Sequence, residues 1–153
     1  MERKTAAGNR RHRAFAAVGR VEATNWPIGL PYIGTGWLIE QNLIVTNRHV
    51  ALEFAERGQK GFTFQLGFDR RNPVAVDVDF LEEIDNAATA RVTIGDILYI
   101  VSDTEPDVAF LRVGPGKGPL GRPIKLGSEL PSSKTMIGVV GYPDGTRTFP
   151  IGH

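Results

Sequence analysis

The stretch GTGWLIEQNLIVTNRHV, residues 34–50, decides the reading of this chain. Residues 36–40 and 43–46 are β-rich and apolar, and Gln41-Asn42 between them suits a two-residue turn, so the pair is predicted as a hairpin. Its second strand, Leu43-Ile44-Val45, reads as buried. It breaks into Thr46-Asn47-Arg48-His49 and then turns apolar again. A lone histidine at the end of a core strand is usually a satisfied group at a core edge. Its meaning depends on what the rest of the chain brings to it.

Most of the chain reads as further strands. Residues 18–23 and 62–66 are candidates, residues 74–84 alternate apolar with acidic side chains, and residues 107–113 form a short buried run. Residues 91–101 make a long β-rich run in which Gly95 marks a bulge or bend. Two helices are predicted. One covers residues 11–17, and the other is VALEFAERG, residues 50–58, with Gly58 as its stop. In GPGKGPLGRP, residues 114–123, seven of ten positions are Gly or Pro, so no regular element survives there and the segment is a connector. After it, KTMIGVVGYP, residues 134–143, is another apolar strand. Six or seven short strands ahead of a connector point to a small closed β-barrel, with a second one begun beyond it. The expected organisation is a basic arm over 1–17, a barrel over 18–113, a connector over 114–133 and the start of a second barrel over 134–153.

Composition narrows the class. The chain has 153 residues, 41% hydrophobic and 23% charged, which is ordinary for a globular domain. It has no cysteine, so disulfides, cysteine-based metal sites and a thiol nucleophile are excluded. No apolar run approaches the roughly 18 residues of a membrane span. The N-terminus lacks the apolar segment of a signal peptide, so a native N-terminus implies a cytoplasmic protein. Net charge is +1, but Arg3, Lys4, Arg10, Arg11 and Arg13 crowd the first thirteen residues against Glu2 alone. Such an arm can touch nucleic acid. No aromatic or glycine pattern of a nucleic-acid module accompanies it, so a solvated arm is the better reading.

A carboxylate at the mouth of a buried strand is costly unless something pairs with it. Asp107 stands in that position in EPDVAFLRV, although a lone Asp there more often caps a turn. A closed sheet brings distant strands together, so His49 and Asp107 are candidate partners. Gly34 to Trp37, then Thr46-Asn47-Arg48-His49, then Asp107-Val108-Ala109-Phe110-Leu111 together resemble, in order, the N-terminal half of a trypsin-like (chymotrypsin-fold) serine peptidase. The closest flavour is the bacterial, disulfide-free kind similar to glutamyl endopeptidases and high-temperature-requirement proteases. IGVVGYPDG, residues 137–145, is similar to the first strand of that family's second barrel. The resemblance implies an all-β double barrel, with the first barrel present and the second incomplete. It also implies peptide-bond hydrolysis of a polypeptide substrate without a cofactor. His49 would be the general base and then the general acid, and Asp107 would fix its tautomer. Asp103, in the polar SDTEP loop, competes for that role and reads as a surface residue.

The family's nucleophile is missing from this pattern. The serines are Ser102, Ser128, Ser132 and Ser133, each in a loop or turn setting and none in G-x-S-G. Once the connector is set aside, too few residues follow Asp107 for a second six-stranded barrel, which takes roughly 60. The expectation is a chain without proteolytic activity of its own. It is then part of a longer peptidase, one half of a split enzyme completed by a C-terminal partner, or a module kept for binding. The presence of both His49 and Asp107 favours the first two. The acidic stretch over residues 77–86 lacks the glycine and ligand spacing of a calcium loop. It is expected to be an exposed strand edge guarded by its charges.

Overall fold

A computed structural model of the protein describes residues 14–30, 32–81, 89–116, 121–135 and 137–142. The basic residues of the arm, the acidic residues Glu82, Glu83 and Asp85, and residues 143–153 lie outside the described residues. In chain order the elements are β1 (Val18–Thr24), β2 (Gly34–Glu40), β3 (Leu43–Thr46), α1 (Arg48–Leu52), β4 (Ala55–Gly58), β5 (Gly61–Phe64), β6 (Ala75–Asp79), β7 (Arg91–Ile100) and β8 (Ala109–Val113). Six strands close into an antiparallel barrel in the order β1-β2-β3-β8-β7-β6, while β4 and β5 form a separate hairpin. Val21, Leu38, Ile44, Val76, Val78 and Leu111 fill the interior and are fully buried. Among the described residues no helix is long and apolar enough to cross a membrane.

The predicted hairpin is present as β2 and β3, with Trp37 opposite Val45 and a register shift between Leu38 and Glu40. β7 shows how a long strand wraps a small barrel. Its inward residues are Val92, Ile94, Ile97 and Ile100. Register shifts between Ile94 and Asp96 and between Ile97 and Tyr99 account for the two three-residue steps. Each extra residue would flip the strand's faces, and the bulge restores the apolar side chains to the core. Gly95 announced the first shift. The second, at Leu98, has no glycine.

Several expectations are corrected. The helix over residues 50–58 ends at Leu52, and Ala55–Gly58 pairs with Gly61–Phe64 instead. Phe54 is fully buried, with its ring stacked 6.1 Å from that of Phe64. Gly58 is therefore a hairpin residue opposite Gly61, whose φ of 133° favours glycine. The strand expected over residues 62–66 is displaced to Gly61–Phe64, and Leu66 makes only an isolated bridge to Pro73.

The described acidic residues Asp77 and Asp79 are not on an edge. β6 pairs with β1 on one side and β7 on the other, so a closed barrel leaves it none. Asp79 is fully buried and accepts hydrogen bonds from the Leu81 and Ala90 backbone N–H groups, at 3.0 and 2.9 Å, and from Arg91 Nε at 3.2 Å. Arg91 also reaches Glu22 Oε2 at 2.8 Å, and Glu22 accepts from Arg20 as well. Burial raises the Asp79 pKa, but the two backbone donors and Arg91 outweigh it and hold the carboxyl below its ordinary value.

Residues 121–135 carry no regular element. The strand expected over residues 134–143 is a further correction, since its described residues, 134–135 and 137–142, form no strand. The segment docks on β2 through Tyr142, whose backbone N–H donates to Thr35 Oγ1 at 2.8 Å.

Candidate active site

The barrel register explains why residues 58 apart in sequence meet. β3 and β8 are antiparallel neighbours with Thr46 opposite Ala109. The chain leaving β3 and the chain entering β8 therefore run side by side at one barrel end. Thr46 is buried and donates to the Thr35 carbonyl at 2.8 Å, which anchors the exit of β3. α1 begins at once, with Asn47 in extended conformation at the N-cap and the Ala51 N–H bonded to its carbonyl at 3.0 Å. Val50 and Ala51 bury the inner face of this short helix, and His49 is left outside with its side chain 71% exposed.

Gly34 makes that placement possible. A Cβ there would lie 2.5 Å from Val50 Cγ2 and 3.0 Å from Cγ1, so only a glycine lets α1 sit against β2. This gives a physical reason for the first glycine of Gly-Thr-Gly-Trp.

His49 Nδ1 lies 2.6 Å from Asp107 Oδ2, and the His49 backbone N–H donates to Oδ1 at 3.0 Å. Asn47 Nδ2 donates to both Oδ2 and the Asp107 carbonyl at 3.2 Å. Partial burial pushes the Asp107 pKa up. The His49 N–H, the His49 ring and Asn47 outweigh it, and the carboxyl sits below its ordinary value. An ionised carboxylate only accepts hydrogen bonds, so Nδ1 must carry the proton. In the neutral ring Nε2 then bears the lone pair, and it is available to take a proton from an incoming donor.

Arg48 completes the frame. Its Nη1 donates to the Ser102 carbonyl at 2.6 Å, tying α1 to the loop that leads to Asp107. In that loop Ser102 Oγ donates to Glu105 Oε2 at 2.8 Å. Asp103 is exposed, as expected of a surface residue. Ser128, Ser132 and Ser133 are exposed on the connector, and Ser132 Oγ pairs with Thr135 Oγ1 at 2.8 Å. No serine hydrogen bonds to His49 among the described residues. Nor do those residues hold a cluster of acidic or histidine side chains able to bind a metal. The sequence reading missed Asn47 and Arg48. Both precede His49, and their polarity directly after a buried strand was the available signal.

A closed six-stranded barrel with a His–Asp pair at the end of adjacent strands defines a class, and the family comparison agrees. The model of the trypsin-like peptidase domain matches residues 34–151, more than three-quarters of the chain. The chain belongs to the trypsin-like peptidase family. A search of curated proteins found no match.

Proposed function

We propose that this chain supplies the base and the orienting carboxylate of a serine endopeptidase, with the nucleophilic serine lying outside residues 1–153. The observation that carries the reading is the 2.6 Å contact of His49 Nδ1 with Asp107 Oδ2, with the ring otherwise open to solvent. In this mechanism His49 Nε2 takes the proton of the serine hydroxyl as its oxygen attacks the peptide carbonyl. The resulting imidazolium is stabilised by Asp107. It then protonates the leaving amine as the acyl-enzyme forms, and water repeats the sequence to release the acid. Asp107 stays ionised throughout. The division into an arm over 1–17, a first barrel over 18–113, a connector over 114–133 and the opening of a second barrel over 134–153 belongs to the same proposal. So does kinship with the glutamyl endopeptidase and high-temperature-requirement types.

The test is complementation. The purified chain alone leaves an unfolded protein substrate intact. Adding a C-terminal half that carries G-x-S-G and its oxyanion amides produces cleavage, and His49→Ala or Asp107→Ala abolishes it. Cleavage by the chain alone that is lost with His49→Ala would refute the placement of the serine. Cleavage by the complemented pair that survives both substitutions would refute the roles of His49 and Asp107.

A second reading, a non-catalytic module that binds a partner chain, is favoured by the surface after β8. Leu126, Leu130, Ile137 and Val139 are all largely exposed, Leu130 and Val139 above 90%. Under that reading a partner covers these side chains and no complementation restores turnover.

A further inference from the structure

Asn47 occupies the N-cap of α1, a position that Asn normally fills to accept the free N–H groups of its own first turn. It makes no such side-chain bond here. Instead Asp107 Oδ1 accepts the His49 N–H at 3.0 Å, so the carboxylate serves as the cap from another strand. Asn47 turns its amide the other way and donates to Asp107 Oδ2 and to the Asp107 carbonyl, both at 3.2 Å. The two residues have exchanged roles. Both carboxylate oxygens are thereby engaged from the segment 47–49: one by a backbone N–H, the other by the imidazole and the Asn47 amide together.

We propose that Asn47 is a positioning residue of the catalytic pair, one that locks the Asp107 carboxylate in the plane and rotamer required to hold His49 as the Nδ1–H tautomer. The inference rests on the reading of His49 and Asp107 as base and orienter, and extends it to the residue whose side-chain amide holds Asp107. The physical need is clear from the exposure of the pair. The Asp107 side chain is 39% exposed, so water competes for each oxygen. Without Asn47 the carboxylate would be held by His49 alone, through its backbone N–H and its ring. The double contact of Asn47 to the carbonyl and carboxylate of one residue fixes that residue's χ1 and χ2 together. Arg48, bonded to the Ser102 carbonyl, holds the surrounding loop but does not touch the carboxylate.

The competing explanation is that Asn47 matters only as a helix cap. Serine separates the two, because it caps about as well as asparagine but is too short to reach Asp107. The readout is the tautomer of His49, measured on the isolated chain with the ring neutral by two-bond ¹H–¹⁵N correlation. The chain has only three histidines, so assignment through a His49→Gln control is direct. The native chain is expected to show His49 mainly protonated at Nδ1. Asn47→Ser is expected to lower that population at least about twofold, toward the free-imidazole preference for Nε2–H, while the barrel amide spectrum stays unchanged. Asn47→Asp is the second variant, of equal size and equal capping ability, with a repelling oxygen in place of the donor. It should lower the Nδ1–H population further. A serine or aspartate variant that keeps the native tautomer would overturn the role of Asn47 and leave the His49–Asp107 reading standing. A native chain that already shows the Nε2–H tautomer would overturn both.

Discussion

Asp107 accepts three hydrogen bonds from the segment that carries His49, and each depends on its oxygens being acceptors. Asp107→Asn keeps the shape and the bond to the His49 N–H, but it can present an amide N–H to the ring. The tautomer would then reverse, and turnover by the complemented peptidase should fall roughly ten-thousandfold with the fold intact, as steady-state kinetics and a thermal melt would show together. Asp79 makes a different prediction. Its pKa is lowered by folding, so its contribution to stability is fully present above the unfolded carboxylate value near about 3.9. That contribution is lost as pH falls through the lower folded value. Asp79→Asn should therefore cost about 1.5–3 kcal/mol at pH 7, and the gap from the native chain in urea melts should narrow at pH 3. His49 and Asp107 were legible because each stands as a polar residue at the mouth of an apolar run. The burial of Asp79 was not, since alternating apolar and acidic residues describe a solvated face as readily as a barrel wall with an internal ion pair.

At the scale of elements, the β2–β3 hairpin could be read directly, because local turn chemistry decides it. The brevity of α1 could not. Helix periodicity and a terminal Gly58 fit residues 50–58 well, and only the pairing of Ala55–Gly58 with Gly61–Phe64, with Phe54 drawn into the core, ends the helix at Leu52. Tertiary packing overrode propensity there. The close approach of α1 to β2 is testable. Val50 is β-branched and cannot swing both methyls aside, so Gly34→Ala should destabilise the chain by about 1–3 kcal/mol through overpacking. Adding Val50→Ala to Gly34→Ala should recover much of the loss, because the two sites are coupled by one contact. Urea midpoints of the single and double variants would measure it.

For the molecule as a whole, the barrel consumes every strand edge within it, while the surface after β8 presents Leu126, Leu130, Ile137 and Val139 to solvent. Apolar side chains so exposed favour association. Sedimentation of the isolated chain should show concentration-dependent self-association, and Leu130→Lys with Val139→Lys should suppress it without lowering the melting temperature. A complementing half that covers this surface should compete with that self-association.

The Asp79 carboxylate has a further consequence. By accepting from Leu81 and Ala90 at once, and with the Phe80 N–H bonded to the Ala90 carbonyl at 3.2 Å, the barrel holds those two residues together as a closed neck. A closed neck insulates the scaffold from its cargo. A Gly/Ser peptide inserted between Leu81 and Ala90 should cost only about 0.6 kcal/mol for each doubling of the chain length between them. The β6–β7 crossing is therefore a natural port for grafting an epitope or a reporter tag onto this barrel without disturbing its histidine.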